Sequence, residues 1–373
     1  LTSSSPEVRP GWPLRTLYAY LTEGCNLACR HCWLAPRLDS SGGERPVLDP
    51  RLLAEVLRQG RELGLESVKL TGGEPFLHPE ILRILDLVRA QGLQLALETN
   101  GTRVTPELAA AVASCRKPFA SVSLDGADAA SHEYVRGVPG CFEKARQGLR
   151  MLGAAGVRTQ VILTVMRHNA GQLEAVVRMA EDLGAGSVKF NVVQPAERGE
   201  ALHRTGEALS VRELVELGHR VEHELSTRTA LRLHFSYPMA FRSLRHMFHP
   251  DDGIGCSTCG IFRILGLLAD GSYALCGVGS TVPELLFGHA ATDPLARVWL
   301  ETPVLKQIRD GLPDRLEGVC GRCLMRRRCR GACLAQNYYS TRSLWAPYWF
   351  CQAAEEEGIF PASRLAEAAP AAN

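Results

Sequence analysis

The residues most able to do chemistry in this 373-residue chain are its thirteen cysteines, and they are grouped rather than scattered. Cys25, Cys29 and Cys32 fall within eight residues, as Cys25-x3-Cys29-x2-Cys32. Three thiolates at this spacing, with small or flexible neighbours, can wrap one corner of a cubane. A [4Fe–4S] cluster normally takes four cysteines, so three leave one iron open to a small chelating ligand. The alternative is a structural zinc site. Zinc favours paired C-x2-4-C hooks that complete four ligands, and a triplet with no near fourth fits that poorly. A second group holds Cys256, Cys259 and Cys276, and a third holds Cys320, Cys323, Cys329, Cys333 and Cys351. Cys115 and Cys141 stand apart, as buried or idle thiols. An odd number of clustered cysteines in a large chain favours metal ligation in a reducing cytoplasm over a disulfide framework.

The triplet needs a scaffold, and one is legible between about residues 16 and 195. Strand-like stretches at Leu17–Leu21, Ser67–Thr71, Gln94–Thr99, Ala120–Leu124, Gln160–Thr164 and Val188–Val193 are short, apolar and rich in Val, Leu and Phe. Helical patterns lie between them, at Asp49–Leu63, Pro79–Ala90, Glu143–Leu152 and Gly171–Leu183. Six β-α units in series imply an α/β fold with a parallel sheet and right-handed crossovers, a partial (β/α)6 barrel. Ligands in such sheets bind at the carboxyl ends of the strands. The triplet follows the first strand directly. The second ends in Thr71-Gly72-Gly73-Glu74-Pro75, where two glycines allow close backbone approach to a ligand and Glu74 offers a carboxylate to an ammonium group. A tight turn capping the next helix would read the same way. The third strand leads into Asn100-Gly101, and the fourth into Ser123-Leu124-Asp125-Gly126.

After residue 200 the pattern changes. A helix near Ser210–Leu225 precedes a strand-like Leu231–Tyr237. A hairpin of Phe262–Ala269 and Ser272–Cys276 then turns at Asp270-Gly271, a favoured tight-turn pair. The Cys- and Arg-rich segment beyond it has little periodicity, so bound metal is expected to organise it. These changes divide the chain into an N-terminal segment (1–15), a barrel (16–235), a cysteine-rich domain (236–360) and an Ala/Pro-rich tail (361–373).

Composition excludes several classes. With 46% hydrophobic and 22% charged residues and a net charge of +2, the chain has a real core and no field for nucleic acid. No apolar run approaches a membrane span, and the N-terminal residues carry no signal-peptide pattern. Arg322, Arg326, Arg327, Arg328 and Arg330 admit a nucleic-acid patch, but guanidiniums that offset a negatively charged thiolate cluster are the favoured reading.

Taken with the strand ends, C-x3-C-x2-C after the first strand resembles the signature of the radical S-adenosylmethionine (radical SAM) superfamily, and His31 fills the usual aromatic position before the third cysteine. The resemblance implies that Cys25, Cys29 and Cys32 hold a catalytic [4Fe–4S] cluster. Its open iron would chelate SAM, which is cleaved to a 5′-deoxyadenosyl radical. It further implies that Gly72, Gly73, Glu74 and Pro75 hold the methionyl amino group, that Ser123 and Asp125 lie near the ribose, and that Arg136 and Asn100 also contact SAM. Residues 191–199 would shape the adenine end. Cys259-x11-Gly271-x4-Cys276, Cys320-x2-Cys323-x5-Cys329-x3-Cys333 and then Cys351 resemble the SPASM domain of radical SAM maturases. That likeness implies two auxiliary [4Fe–4S] clusters. One would use Cys256, Cys259, Cys276 and Cys333; the other would use Cys320, Cys323, Cys329 and Cys351.

The resemblance then implies a maturase-like oxidoreductase that abstracts hydrogen from a peptide or protein side chain. The alternative is modification of a tetrapyrrole or other small molecule. Sulfatase-maturing relatives carry an Asp directly after the cysteine matching Cys276, and Gly277 stands there, which argues against formylglycine formation. A flavodoxin- or ferredoxin-type protein is the expected reductant. Only about 16 residues precede the first strand, so any leader peptide would be recognised directly or through a separate partner. Neither nucleic acid nor membrane is an expected partner, and the expected compartment is the cytoplasm.

Overall fold

The computed structural model describes residues 11–34, 45–244, 247 and 259–366. Cys256 lies outside the described residues, as do residues 1–10 and most of the tail. Ten strands form one open sheet: β1 (Thr16–Tyr20), β2 (Ser67–Thr71), β3 (Gln94–Thr99), β4 (Arg116–Ser123), β5 (Arg158–Val165), β6 (Ser187–Val192), β7 (Arg232–Phe235), β8 (Ile264–Leu267), β9 (Ser272–Ala274) and β10 (Leu286–His289). Their order across the sheet is β10-β9-β8-β1-β2-β3-β4-β5-β6-β7.

Strands β1 to β7 are parallel neighbours in chain order. Helices α1 (Pro50–Glu62), α2 (Ile81–Ala90), α3 (Pro106–Ala113), α4 (Ala129–Arg136), α5 (Cys141–Ala154), α6 (Leu173–Asp182), α7 (Arg198–Arg204) and α8 (Val211–His223) lie between or after them. The period of two in each strand decides what faces where. Val68 and Leu70 of β2, Leu95 and Leu97 of β3, and Val188 and Phe190 of β6 are buried in the common core. Lys69, Thr71, Glu98 and Asn191 alternate with them and face the cavity on the opposite side. Local caps fix the helices. The Asp49 side chain accepts from the Arg51 amide at 2.7 Å ahead of Pro50, and Ser210 and Glu213 form a reciprocal capping box on α8.

Three details differ from the sequence reading. Helix α2 starts at Ile81 rather than Pro79 because Glu74 caps a 3-10 turn at Pro75–Leu77, and His78, bonded to the Leu48 carbonyl at 2.9 Å, is extended. The hairpin is present, with Gly271 at φ +89° in its turn, but β8 also pairs in parallel with β1. The regions assigned to either side of residue 235 therefore share one sheet. The Cys-rich segment also contributes more apolar core than its weak periodicity suggests. Its helices are short, at Gly318–Arg322, Arg326–Cys329, Leu334–Thr341 and Trp349–Glu356. Even so, Leu316, Val319, Leu334 and Phe350 are buried in the same core as the barrel strands. Apolar residues spread over several four- to eight-residue pieces give no periodic signal, yet together they pack. Among the described residues no helix is long and apolar enough to cross a membrane.

Candidate active site

At the carboxyl ends of β1 to β7 a cavity of about 370 Å3 opens, and the thiols of Cys25, Cys29 and Cys32 are in its wall. Backbone contacts hold the loop that carries them. The amides of Ala28 and Arg30 donate to the carbonyls of Arg136 and Val135 at 3.0 and 2.9 Å, so the loop satisfies the last carbonyls of α4. On the other side the Gly73 amide donates to Thr22 O at 2.7 Å and the Glu74 amide to Gly24 O at 2.8 Å. A Cβ on Gly73 would lie 2.0 Å from Gly24 O. The Gly-Gly pair is thus required for the β2 turn to pack against the cysteine loop, besides lining the cavity.

The other sequence-predicted residues divide into wall and frame. His31, Asn100, Ser123 and Arg136 line the cavity with the two glycines. Glu74, Pro75 and Asp125 are buried beside it. Glu74 accepts from Thr99 Oγ1 at 2.6 Å, the Asn100 amide at 2.8 Å and the Phe76 amide at 3.2 Å, tying the ends of β2 and β3 together. Asp125 accepts from the Thr164 amide at 2.7 Å and pairs with Arg136 Nε at 2.5 Å. Asn100 donates to Asn26 Oδ1 at 2.9 Å, one residue from Cys25. Of residues 191–199, Asn191 to Gln194 reach the wall. Gln194 Oε1 accepts from Tyr348 OH at 3.0 Å and Trp349 Nε1 at 3.2 Å, which joins the strand end to the C-terminal segment.

Sequence reasoning missed the ion pair in the same wall. Lys69 Nζ lies 2.5 Å from Glu98 Oε1 and sits over the Tyr18 ring. Burial opposes both charges. Glu98 and Tyr18 nonetheless raise the Lys69 pKa, and Lys69, Lys189 and Thr71 hold Glu98 below its ordinary value. The signal was present: a charged residue at an inward-facing position of each of two short, mostly apolar strands. Cys141 is buried, as expected, and packs with Leu27 and Cys29 beside the triplet.

These residues fit an iron–sulfur cluster with a ligand at its open corner. Burial pushes the Cys25 thiol up to about 12, and iron would displace that proton. The Nδ1 of His31 is buried without a hydrogen-bond partner, and burial lowers the ring's pKa to about 4. Among the described residues no three His, Cys, Asp or Glu side chains converge on one ion position.

The seven described C-terminal cysteines form two groups. Cys320, Cys323, Cys329 and Cys351 enclose a small apolar void with Leu316, Met325 and Phe360. A hydrogen bond between Cys320 and Cys351 favours the thiolate on Cys320 and the thiol on Cys351. Cys259, Cys276 and Cys333 lie close enough to influence one another's ionisation; burial dominates, pushing Cys333 up to about 12. Burial raises the pKa of Cys259 and of Cys323; Arg330 offsets part of the rise at the first, and Arg364 and Arg326 part of it at the second. Next to Cys276, a Cβ on Gly277 would lie 2.3 Å from the Tyr20 hydroxyl and 2.5 Å from the Trp33 ring. An Asp there would require the Tyr20 and Trp33 side chains to shift.

Known proteins share this organisation. Residues 19–180 match the Radical SAM superfamily. The mycofactocin maturase MftC of Mycobacterium ulcerans is 30% identical over 88% of this chain and 85% of its own length. An AdoMet-dependent heme synthase of Methanosarcina barkeri is 29% identical over 86% of this chain and 91% of its own. The crystal structure of Streptococcus suis SuiB bound to precursor peptide SuiA superposes with a TM-score of 0.73 at 18% identity, over 93% of this chain and 77% of that one, a likeness of fold. The chain is an enzyme, and it belongs to the radical SAM superfamily.

Proposed function

We propose that the chain holds a [4Fe–4S] cluster on Cys25, Cys29 and Cys32 and abstracts hydrogen from a peptide or protein side chain, the cluster and SAM supplying the 5′-deoxyadenosyl radical when bound. The observation that carries this reading is that Cys25, Cys29 and Cys32 all line one strand-end cavity. In that cavity Gly72, Gly73, His31, Asn100, Ser123 and Arg136 would hold SAM, with Glu74, Pro75 and Asp125 completing the SAM site from the buried side of the wall. Lys69 and Glu98, the ion pair left over in the wall, would meet the polar part of the substrate. Residues 16–235 serve as the radical SAM unit and 236–360 as a SPASM unit.

In the second unit, Cys259, Cys276 and Cys333, with Cys256 as fourth ligand, would hold one auxiliary cluster. Cys320, Cys323, Cys329 and Cys351 would hold the other. Such clusters suit an oxidation, because they can accept the substrate's electron. A peptide substrate is supported by the maturase relative and by the peptide-bound SuiB fold neighbour. A flavodoxin- or ferredoxin-type reductant, a cytoplasmic location and, for a leader-bearing peptide, a separate recognition partner complete the proposal.

The heme synthase relative, matched over 91% of its length, favours a second reading in which the substrate is a tetrapyrrole. Incubation of the anaerobically reconstituted enzyme, SAM and reductant with a candidate short peptide or with a tetrapyrrole separates the two. Mass spectrometry should show the peptide losing hydrogen. An unchanged peptide beside a converted tetrapyrrole would overturn the first reading.

A further inference from the structure

Arg136 is the last residue of α4, buried at 7% exposure, and its guanidinium is divided between two partners. Nε pairs with Asp125 Oδ2 at 2.5 Å, and Nη1 donates to the Cys29 sulfur at 3.4 Å. The backbone fixes this approach. The residues on either side of Cys29, Ala28 and Arg30, are both bonded through their amides to the end of α4. Gly137, at φ +72°, lets the chain turn away beside them, where a Cβ would lie 2.8 Å from Ala28 O. Asp125 is fully buried and held in turn by the Thr164 amide. Burial opposes the charge on Arg136, but Asp125 and Cys29 outweigh it and raise the guanidinium's pKa, so the cation persists.

We infer that Arg136 sets the reduction potential of the cluster bound by the triplet through its contact with the Cys29 sulfur, and that Asp125 is the positioning residue that aims it. This rests on the reading that Cys29 is a cluster ligand. The reasoning is electrostatic. A cluster gains negative charge on reduction, and hydrogen bonds to its sulfurs are among the terms that set its potential. A cation and an N–H donor at one thiolate sulfur stabilise the reduced state more than the oxidised one. They act in a buried setting, where screening is weak. Arg136 therefore raises the potential and eases the electron's entry. The role is additional to any contact with SAM, because it operates on the cluster alone.

The test is an EPR-monitored redox titration of the full chain, reconstituted anaerobically, without SAM. The relevant signal is the one whose shape changes when SAM is then added. Removing Arg136 alone would strand a buried carboxylate, so the variants are R136K, which keeps the charge and loses the fork, and the paired R136Q/D125N, which removes both charges. At a fixed potential the paired variant should show roughly a tenfold lower reduced-to-oxidised ratio, or about 59 mV for a one-electron couple. R136K should fall in between, and both should bind as much iron as the wild type. An unchanged or more positive midpoint in a variant that keeps its iron would overturn the inference. Absence of any SAM-responsive cluster from the wild type would instead overturn the ligand assignment beneath it.

Discussion

Two of the chain's thiol groups are built by opposite means. The triplet is presented by a loop clamped between a helix end and a glycine pair, and its sulfurs face a cavity. The C-terminal set of Cys320, Cys323, Cys329 and Cys351 is turned inward, all four buried at 9% exposure or less. Its backbone runs through short helices and the left-handed residues Arg330, Gly331 and Ala332. Helices of this length have little stability of their own. An open corner suits chemistry on an exchangeable ligand, whereas an enclosed set suits storage or passage of electrons. On the proposed cluster assignment, the barrel loop is held by its own backbone contacts, while the C-terminal segment is expected to gain local stability from its cluster.

Three changes would break or sharpen that contrast. The largest effect is expected from Gly73→Ala, which drives a methyl group into the Gly24 carbonyl. It should cost about 3–4 kcal/mol in urea unfolding of the apo-protein and reduce SAM-responsive iron loading. An effect below about 1 kcal/mol would mean that the loop is not clamped. Next comes Cys351→Ala in the reconstituted enzyme. Limited proteolysis within residues 311–366 should accelerate about tenfold, which is about 1.4 kcal/mol of local opening, while the barrel stays intact. Equal protection of wild type and variant would show that apolar packing alone holds the segment.

The third effect is pH-dependent and belongs to the barrel. His132 is buried at 1% exposure, and its Nδ1 accepts from the Asp125 amide at 3.1 Å. Burial first, then Arg136, lower its pKa from 6.5 to about 4. The unfolded imidazole takes a proton below about pH 6.5 and the folded one does not. Stability is therefore complete above pH 6.5 and drains away as pH falls toward 4, by on the order of 2–3 kcal/mol. Urea midpoints at pH 7 and pH 5 should differ in the wild type and less so in His132→Gln. A flat wild-type profile would contradict the assignment.

Much of this was legible in residue order, for identifiable reasons. β2 and β3 begin and end where their apolar runs do, because turn residues bound both, and the Asp270-Gly271 turn declares the β8–β9 hairpin locally. The pairing of β8 with β1, between residues some 250 positions apart, has no local signature. The pairing of Lys69 with Glu98 is not legible in either strand alone, because it depends on which faces of β2 and β3 line the cavity. The motif around Glu74 points to a ligand, but its three hydrogen bonds bracing two strand ends depend on β3 being adjacent and have no local signature.

The most direct test of the account is reductive SAM cleavage by the reconstituted wild type and by a variant with Cys25, Cys29 and Cys32 all replaced by Ala. With three cubanes the wild type should bind about 12 iron atoms and the variant about 8. Only the wild type should release 5′-deoxyadenosine. A variant that still forms 5′-deoxyadenosine would contradict the claim that the radical chemistry begins at the triplet.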